Sequence, residues 1–277
     1  LPEPEADLAL LIDAAHAAGR IALRFHKAQP KVWDKGDGQG PVSEADLAVN
    51  DHLRDTLCAA RPGYGWMSEE SDPLGDLSRL DHQTLFIVDP IDGTRAFIDG
   101  QPGFAHALAL VHRGQPVAGV VHLPALGLTY AAQAGAGATL NGAPIRASQR
   151  QSADGASALV ARVAMDPVHW PGGMPALDRH FRPSLAWRLA LIGEGRFDTM
   201  LTLRDAWDWD IAASALIAAE AGAAVSDRHG AALVFNRPEA RNPGVLAAGP
   251  ALHAALIARL TAPRTAPPLH DLGRGPR

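Results

Sequence analysis

A single cysteine, Cys58, among 277 residues excludes an intrachain disulfide. A fold without covalent staples fits a reducing compartment, so a cytoplasmic protein is expected. No apolar run approaches the roughly 20 residues a membrane-spanning helix needs. The opening Leu1-Pro2-Glu3-Pro4-Glu5 lacks both the basic start and the apolar stretch of a signal peptide. Basic excess is missing too: 25 Lys and Arg against 30 Asp and Glu give a net charge of -5. That balance carries no footprint for a nucleic-acid polymer or an anionic membrane. The 12 histidines form no His-Glu-x-x-His pair and there is no Cys-x-x-Cys, so zinc chemistry has no motif. Internal repeats are absent, and the Pro-, Gly- and Arg-rich stretch 263–277 reads as a flexible tail.

What the chain does have is acids at the ends of structural elements. Leu85-Phe86-Ile87-Val88 is too short and too apolar for a surface helix, so it reads as a core strand. Pro90 cannot donate to a ladder, which places the strand's end at Asp89. Asp92-Gly93-Thr94 then reads as a tight turn in which Gly93 takes a positive φ and lets a ligand approach the backbone. Glu69-Glu70 follow the short apolar piece Tyr64-Gly65-Trp66, as a cation-neutralised pair or a solvated turn. Ser43 is the expected cap of a helix with Leu47, Leu53 and Leu57 broadly on one face, and Asp46 would complete a capping box. Asp210 opens an alanine-rich helix, as an N-cap or as a metal ligand. Each acid has an innocent reading; together they suggest oxygen-bound hard divalent cations, most plausibly Mg2+.

The chain resembles the inositol monophosphatase superfamily. The likeness is carried by Asp89-Pro90-Ile91-Asp92-Gly93-Thr94, by Glu69-Glu70 twenty residues earlier, and by Trp209-Asp210-Ile211-Ala212-Ala213. Weaker family-like stretches are 118–125, 137–142 and Ser184 ahead of Glu194-Gly195-Arg196. The resemblance implies a Mg2+-dependent phosphomonoesterase with two or three ions per site and inhibition by lithium. It matches Glu69, Asp89 and the Ile91 carbonyl to one metal, and Asp89, Asp92 and Asp210 to another. Asp46 and Thr94 would position and deprotonate the attacking water, with Glu69 counted among the catalytic groups and Glu70 supporting them. The backbone N–H groups of Gly93 and Thr94 would hold phosphate oxygens. Two divalent ions together can neutralise charge on the phosphoryl oxygens, the nucleophile and the leaving alkoxide.

The expected substrate is a small phosphorylated metabolite. Inositol-specific members of the superfamily carry an acid that falls here on Thr202 or Leu203; neither is acidic, although Asp205 lies close. Arg95-Ala96-Phe97-Ile98 after Thr94 resembles the bacterial 3'(2'),5'-bisphosphate nucleotidases and some histidinol-phosphate phosphatases. The leading substrate is therefore a 3'(2'),5'-bisphosphate nucleotide, with inositol monophosphate and histidinol phosphate as alternatives. Arg95, Arg182 and Arg188 are candidates for a second phosphate, Ser184 and Asp210 for further substrate contacts, and Trp187, Trp207 and Trp209 for stacking a base. Pro183 departs from the glycine usual before that serine. A non-catalytic phosphometabolite-binding protein and a calcium-stabilised domain are the readings from other classes.

Helices are expected at 6–27, 43–60, 186–194, 211–221 and 250–260, with strands at 84–88, 105–111, 117–123, 128–132, 158–161, 199–203, 224–226 and 244–248. Such a series is α/β. The resemblance sharpens it to an αβαβα sandwich, with an antiparallel sheet in an N-terminal half (1–147) and a mixed sheet in a C-terminal half (148–262). The first half would carry most metal ligands and the second Asp210 and substrate-side residues. A homodimer is the assembly the resemblance implies.

Overall fold

The computed structural model describes residues 2–28, 30–36, 40–72, 75 and 77–263. The expected flexible tail, 263–277, lies outside the described residues apart from Pro263. Helices α1 (Pro4–Phe25) and α2 (Glu44–Ala60) lie on one face of a seven-stranded sheet, with a small hairpin, β1 (Val32–Asp34) and β2 (Pro41–Ser43), between them in sequence. The sheet runs in order β3 (Gly65–Ser68), β4 (Thr84–Asp92), β5 (Ala105–His112), β6 (Gln115–Leu123), β7 (Leu128–Gln133), β8 (Gly137–Leu140) and β9 (Ala143–Pro144). The short helix α3 (Thr94–Ile98) follows β4. Neighbouring strands are antiparallel except β3 and β4, which are parallel because a crossover segment, and not a hairpin, joins them. The strands expected at 84–88, 105–111, 117–123 and 128–132 are antiparallel as foreseen, and β3, not among the expected strands, adds the one parallel pair at the edge.

The second half contributes β10 (Ser157–Val160), β11 (Asp178–His180), α4 (Leu185–Gly193), β12 (Thr199–Thr202), β13 (Ala206–Trp207) and α5 (Asp208–Glu220). After these come β14 (Ala224–Ser226), β15 (Arg241–Asn242), β16 (Val245–Ala248) and α6 (Pro250–Leu260). Its main sheet, ordered β11-β10-β12-β16-β14, is mixed: β10 is parallel to β11 and β12, and β16 antiparallel to β12 and β14. Helices α4 and α5 fill the space between the two sheets, and α6 covers the far side of the second. The layers are α1/α2, sheet, α4/α5, sheet, α6: the αβαβα sandwich.

The packing follows from periodicity. On β4, Leu85 and Ile87 enter the core shared with α4 and α5, while Phe86 and Val88 enter the core beneath α1 and α2, so the apolar run feeds two layers. Helix α5 is buried on nearly every side because it is wedged between sheets. It lies close on β6 because Gly119 has no side chain: a Cβ there would stand 2.8 Å from the Ala213 carbonyl oxygen. On α2 the buried stripe is Ala45, Val49, Leu53 and Leu57, and Leu47 is exposed. Six residues separate Leu47 from Leu53, which puts them on different helical faces.

One sequence expectation fails where it matters most. Strand β4 does not stop at Asp89 but runs through Pro90 to Asp92. Its ladder with β5 skips a step, pairing Asp89 with Ala107 and Asp92 with Ala105. The missing proline N–H interrupts the ladder locally without ending the strand, and at the interruption the imidazole of His106 donates from Nδ1 to the Pro90 carbonyl.

Candidate active site

At the C-terminal end of β4, carboxylate oxygens of Asp89, Asp92 and Asp210 lie within 4.8 Å of one another. The first two come from the bulged strand and the third from the first turn of α5. Asp210 is not that helix's N-cap; the cap position is Trp207, which makes no side-chain bond. Of the two acids in Trp207-Asp208-Trp209-Asp210 only the second faces the cluster. Asp208 is fully buried and accepts from the Asn236 N–H and the Asn242 side-chain amide. Burial pushes Asp208 up to about 7.

The cluster is electrostatically expensive. Burial raises Asp89 well above the usual carboxylate range, and the charges of Glu69, Asp92 and Asp210 raise it further. Asp210 is raised by burial and then by Asp92 and Glu69. Asp89 Oδ1 is buried with no hydrogen-bond partner among the described residues. An all-oxygen set with an orphaned carboxylate oxygen and mutually repelling charges fits a hard divalent cation. Asp92 is the best supported of the three: its Oδ2 accepts from the Ser184 hydroxyl at 2.6 Å and the Ala186 N–H at 2.6 Å. These bonds offset part of the upward shift that burial imposes on it.

Glu69 and Glu70 follow β3, beside the cluster, as the pair's position after an apolar piece led one to expect. Lys35 Nζ donates to Glu69 Oε1 at 2.9 Å and to Glu70 Oε1 at 2.7 Å. Burial nevertheless pushes Glu70 up to about 7, with the Lys35 ammonium opposing it. Sequence reading missed Lys35; its one signal is the Asp34-Lys35-Gly36 turn between two short strands. Asp46 does complete a capping box, accepting from the Ser43 N–H at 2.9 Å and the Ser43 hydroxyl at 2.6 Å through Oδ2. Its other oxygen lies 3.3 Å from the Thr94 hydroxyl, which also reaches the Ile91 carbonyl at 3.0 Å. The structural and the chemical readings of Asp46 thus use different oxygens. Gly93 has φ 94°, as the turn required, and α3 starts at Thr94.

Of the acids, Glu69 lines a cavity of about 1180 Å³, whose walls also include Gly93, Thr94 and Arg95 from the first half and Phe181, Arg188, Thr202, Leu203, Arg204 and Arg228 from the second. Three expectations are corrected here. Ser184 is fully buried and its hydroxyl is spent on Asp92, with its oxygen accepting from the Trp187 N–H as the cap of α4, so it supports a carboxylate instead of facing the cavity. Asp205 pairs with Arg228 at 3.3 Å and supplies no acid to the wall. The tryptophans are not among the wall residues: Trp207 and Trp209 stack on each other at 4.8 Å, Arg241 lies over Trp207, and Trp187 lies under Arg182. The aromatic ring that does line the cavity is the half-exposed Phe181, with the Arg188 guanidinium 4.9 Å from its centre. Arg204 and Arg228 had no sequence signal, since nothing in their local pattern separates a cavity arginine from a solvated one.

Comparison with known proteins places this geometry. The model of the inositol monophosphatase family matches residues 3–264. An inositol-1-monophosphatase of Mesorhizobium japonicum is 33% identical over 94% of this chain and 97% of its own length. A 3'(2'),5'-bisphosphate nucleotidase CysQ of Aggregatibacter actinomycetemcomitans is 32% identical over 83% of this chain and 87% of its own. Among solved structures, an inositol monophosphatase of Thermotoga maritima superposes with a TM-score of 0.77 at 27% identity, covering 92% of this chain and 96% of that one.

Proposed function

The chain belongs to the inositol monophosphatase family, and from that premise we propose that it hydrolyses a 3'(2'),5'-bisphosphate nucleotide with Mg2+ at the acidic cluster. The family acts on phosphoric monoesters and depends on metal, so what is proposed is the ion, the residue roles and the substrate. Glu69, Asp89 and the Ile91 carbonyl would hold one ion, and Asp89, Asp92 and Asp210 another; whether the site takes two ions or three is read by titration. Bound ions would supply positive charge to the phosphoryl oxygens and lower the pKa of an attacking water.

The chain's own groups do the rest. The Thr94 hydroxyl and Asp46 Oδ1, the oxygen not used by the capping box, lie 3.3 Å apart and form a pair that can orient a water and take its proton. Gly93 and Thr94 line the cavity at the glycine turn, and their backbone N–H groups would hold phosphate oxygens. Lys35 holds Glu69 and Glu70 together against their repulsion. Ser184 and Ala186 fix Asp92 from behind. Inhibition by lithium is expected for the same ion site.

The observation that carries the substrate choice is the arginine-rich wall. Where inositol-specific relatives present an acid, the cavity presents Thr202 or Leu203, and Arg95, Arg188, Arg204 and Arg228 are also among its lining residues. Guanidinium groups suit a second phosphate, which they can bind bidentately with opposite charge, better than a ring of neutral hydroxyls. Phe181 offers an apolar face for a base. The relatives' names do not choose, since inositol monophosphatases and bisphosphate nucleotidases match at similar identity. The test is phosphate release from 3'-phosphoadenosine 5'-phosphate, inositol-1-phosphate, histidinol phosphate and fructose-1,6-bisphosphate, with Mg2+ and with EDTA. A Mg2+-dependent kcat/KM preference for the bisphosphate nucleotide is expected; preference for another ester refutes the reading of the wall, and no turnover of any refutes the whole.

A further inference from the structure

Asp89 and Asp92 are three residues apart on one strand, so in a regular strand their side chains would point to opposite faces of the sheet. Their carboxylates converge because β4 carries one residue more than β5 between the paired positions. Asp89 opposes Ala107 and Asp92 opposes Ala105, which leaves Pro90 and Ile91 sharing the single residue His106. Such a bulge leaves backbone groups without ladder partners. Here the Pro90 carbonyl is taken by a side chain, the Nδ1 of His106.

A carbonyl only accepts, so Nδ1 carries the proton and Nε2 is bare. Nε2 is buried without a hydrogen-bond partner among the described residues, and the ring is fully enclosed near Phe104 and His122. A leucine would fill an enclosed position of this kind without leaving a polar atom unsatisfied, whose burial is unfavourable. What the imidazole adds is one bond, to the peptide between two acids of the cluster.

We propose that His106 is a positioning residue for the metal centre, holding the Pro90–Ile91 peptide so that the Asp89 and Asp92 carboxylates and the Ile91 carbonyl converge. Its alternation along β5 with Ala105 and Ala107 puts it on the face of the sheet away from the acids, so it touches neither metal nor substrate. The inference rests on the metal-ligand roles given above. It assigns work to a side chain that no motif in the sequence marks. Hydrogen-bond partners of the ligands themselves commonly change metal affinity by about 10–100-fold when lost; His106 bonds the peptide that carries the ligands, one step further from the ion, so the lower end applies.

The experiment is Mn2+ binding by the full chain, without substrate, followed through the electron paramagnetic resonance signal of free Mn2+. It compares the wild type with His106→Asn, His106→Gln and His106→Leu. Asparagine returns an N–H near the place of Nδ1, glutamine places its amide nearer Nε2, and leucine supplies none. The expected result is affinity within about threefold of wild type for His106→Asn and a loss of about tenfold or more for the other two. Equal affinity in all four proteins, or His106→Asn as weak as His106→Leu, overturns the proposal. Should His106→Leu fail to fold, the Asn and Gln variants decide by the same comparison. A wild-type chain that binds no Mn2+ overturns the metal-site reading itself, a result distinct from equal binding by every variant.

Discussion

Replacing Ser184 with alanine separates two roles that the sequence left confounded. In the structure its hydroxyl donates to Asp92 Oδ2 at 2.6 Å and its oxygen caps α4 by accepting from the Trp187 N–H at 2.9 Å. A hydrogen bond to a charged group contributes about 1.5–3 kcal/mol. The Ala186 N–H remains on the same carboxylate oxygen, so the lower end applies. About 1.4 kcal/mol is a tenfold change in an equilibrium constant, so Ser184→Ala should raise the Mg2+ concentration for half-maximal activity roughly tenfold. Loss of the cap costs about 1 kcal/mol, seen as a fall of about 2–4 °C in Tm. At saturating Mg2+ the substrate KM should stay within about twofold of wild type. The assay is phosphate release over a grid of Mg2+ and substrate concentrations, with thermal unfolding in EDTA beside it. A raised KM with unchanged Mg2+ dependence would refute the reasoning, for it would mean that the hydroxyl meets substrate after all.

Asp89→Asn removes one of several crowded buried charges, so in EDTA the variant should melt above wild type; it should lose turnover by orders of magnitude, and Mg2+ should no longer raise its Tm. A variant that melts lower and still responds to Mg2+ would contradict the shared-ligand role of Asp89. Thr94→Ala should lower kcat by about 100-fold while leaving the Mg2+ half-saturation point within about threefold, because the hydroxyl is assigned to the water; a pure metal-affinity defect would point to the Ile91 contact instead. Glu70 and Asp208, each pushed up to about 7, and the raised Asp89 and Asp210 hold more protons folded than unfolded, so their contribution is present at low pH and lost as pH rises through the folded values. Buried His106 and His122, pushed down to about 4 and about 3, act oppositely but only below about 6.5. Between pH 6.5 and 8 the metal-free protein should therefore unfold at progressively lower urea concentration, and Mg2+ should reduce the slope; a midpoint that climbs over this interval would show that the acids are not held protonated.

Most of the fold was legible because its signals are local. Thr84 to Val88 announces a buried strand through four consecutive apolar residues, and the alanine-rich run after Asp210 announces a helix with no solvent face. The strand 224–226 and the helix 250–260 fall on their expected bounds, the helix marked by Gly249-Pro250 at its start and the strand preceded two residues earlier by Gly222. The acids of the site were legible for a different reason: Asp46, Glu69, Asp92 and Asp210 sit at or beside the end of an element, where capping and turns mark them, and Asp89, although inside β4, is marked by the proline that follows it. What could not be read was anything decided by a partner far away in sequence. Ser184 looked like a substrate contact until Asp92, ninety-two residues earlier, claimed its hydroxyl. The tryptophans looked like a base platform until Trp207 and Trp209 were found against each other. Arg204 gave no local sign at all, and Lys35 only the turn on which it sits.

The bulge in β4 shows why local reasoning stopped where it did. Pro90 says truthfully that a ladder bond is missing, and the simplest inference is a strand end. Whether the strand instead continues depends on what lies opposite, and His106 stands sixteen residues on, across a connection and in another strand. Because the strand continues, Asp92 is carried past the proline with its side chain turned to the same face as Asp89. Asp210 then needs only the first turn of α5 to meet them, and α5 comes that close because Gly119 on β6 offers no side chain to hold it away. The convergence of three acids from two halves of the chain thus depends on two small irregularities of the first sheet, an extra residue in one strand and a missing side chain in another.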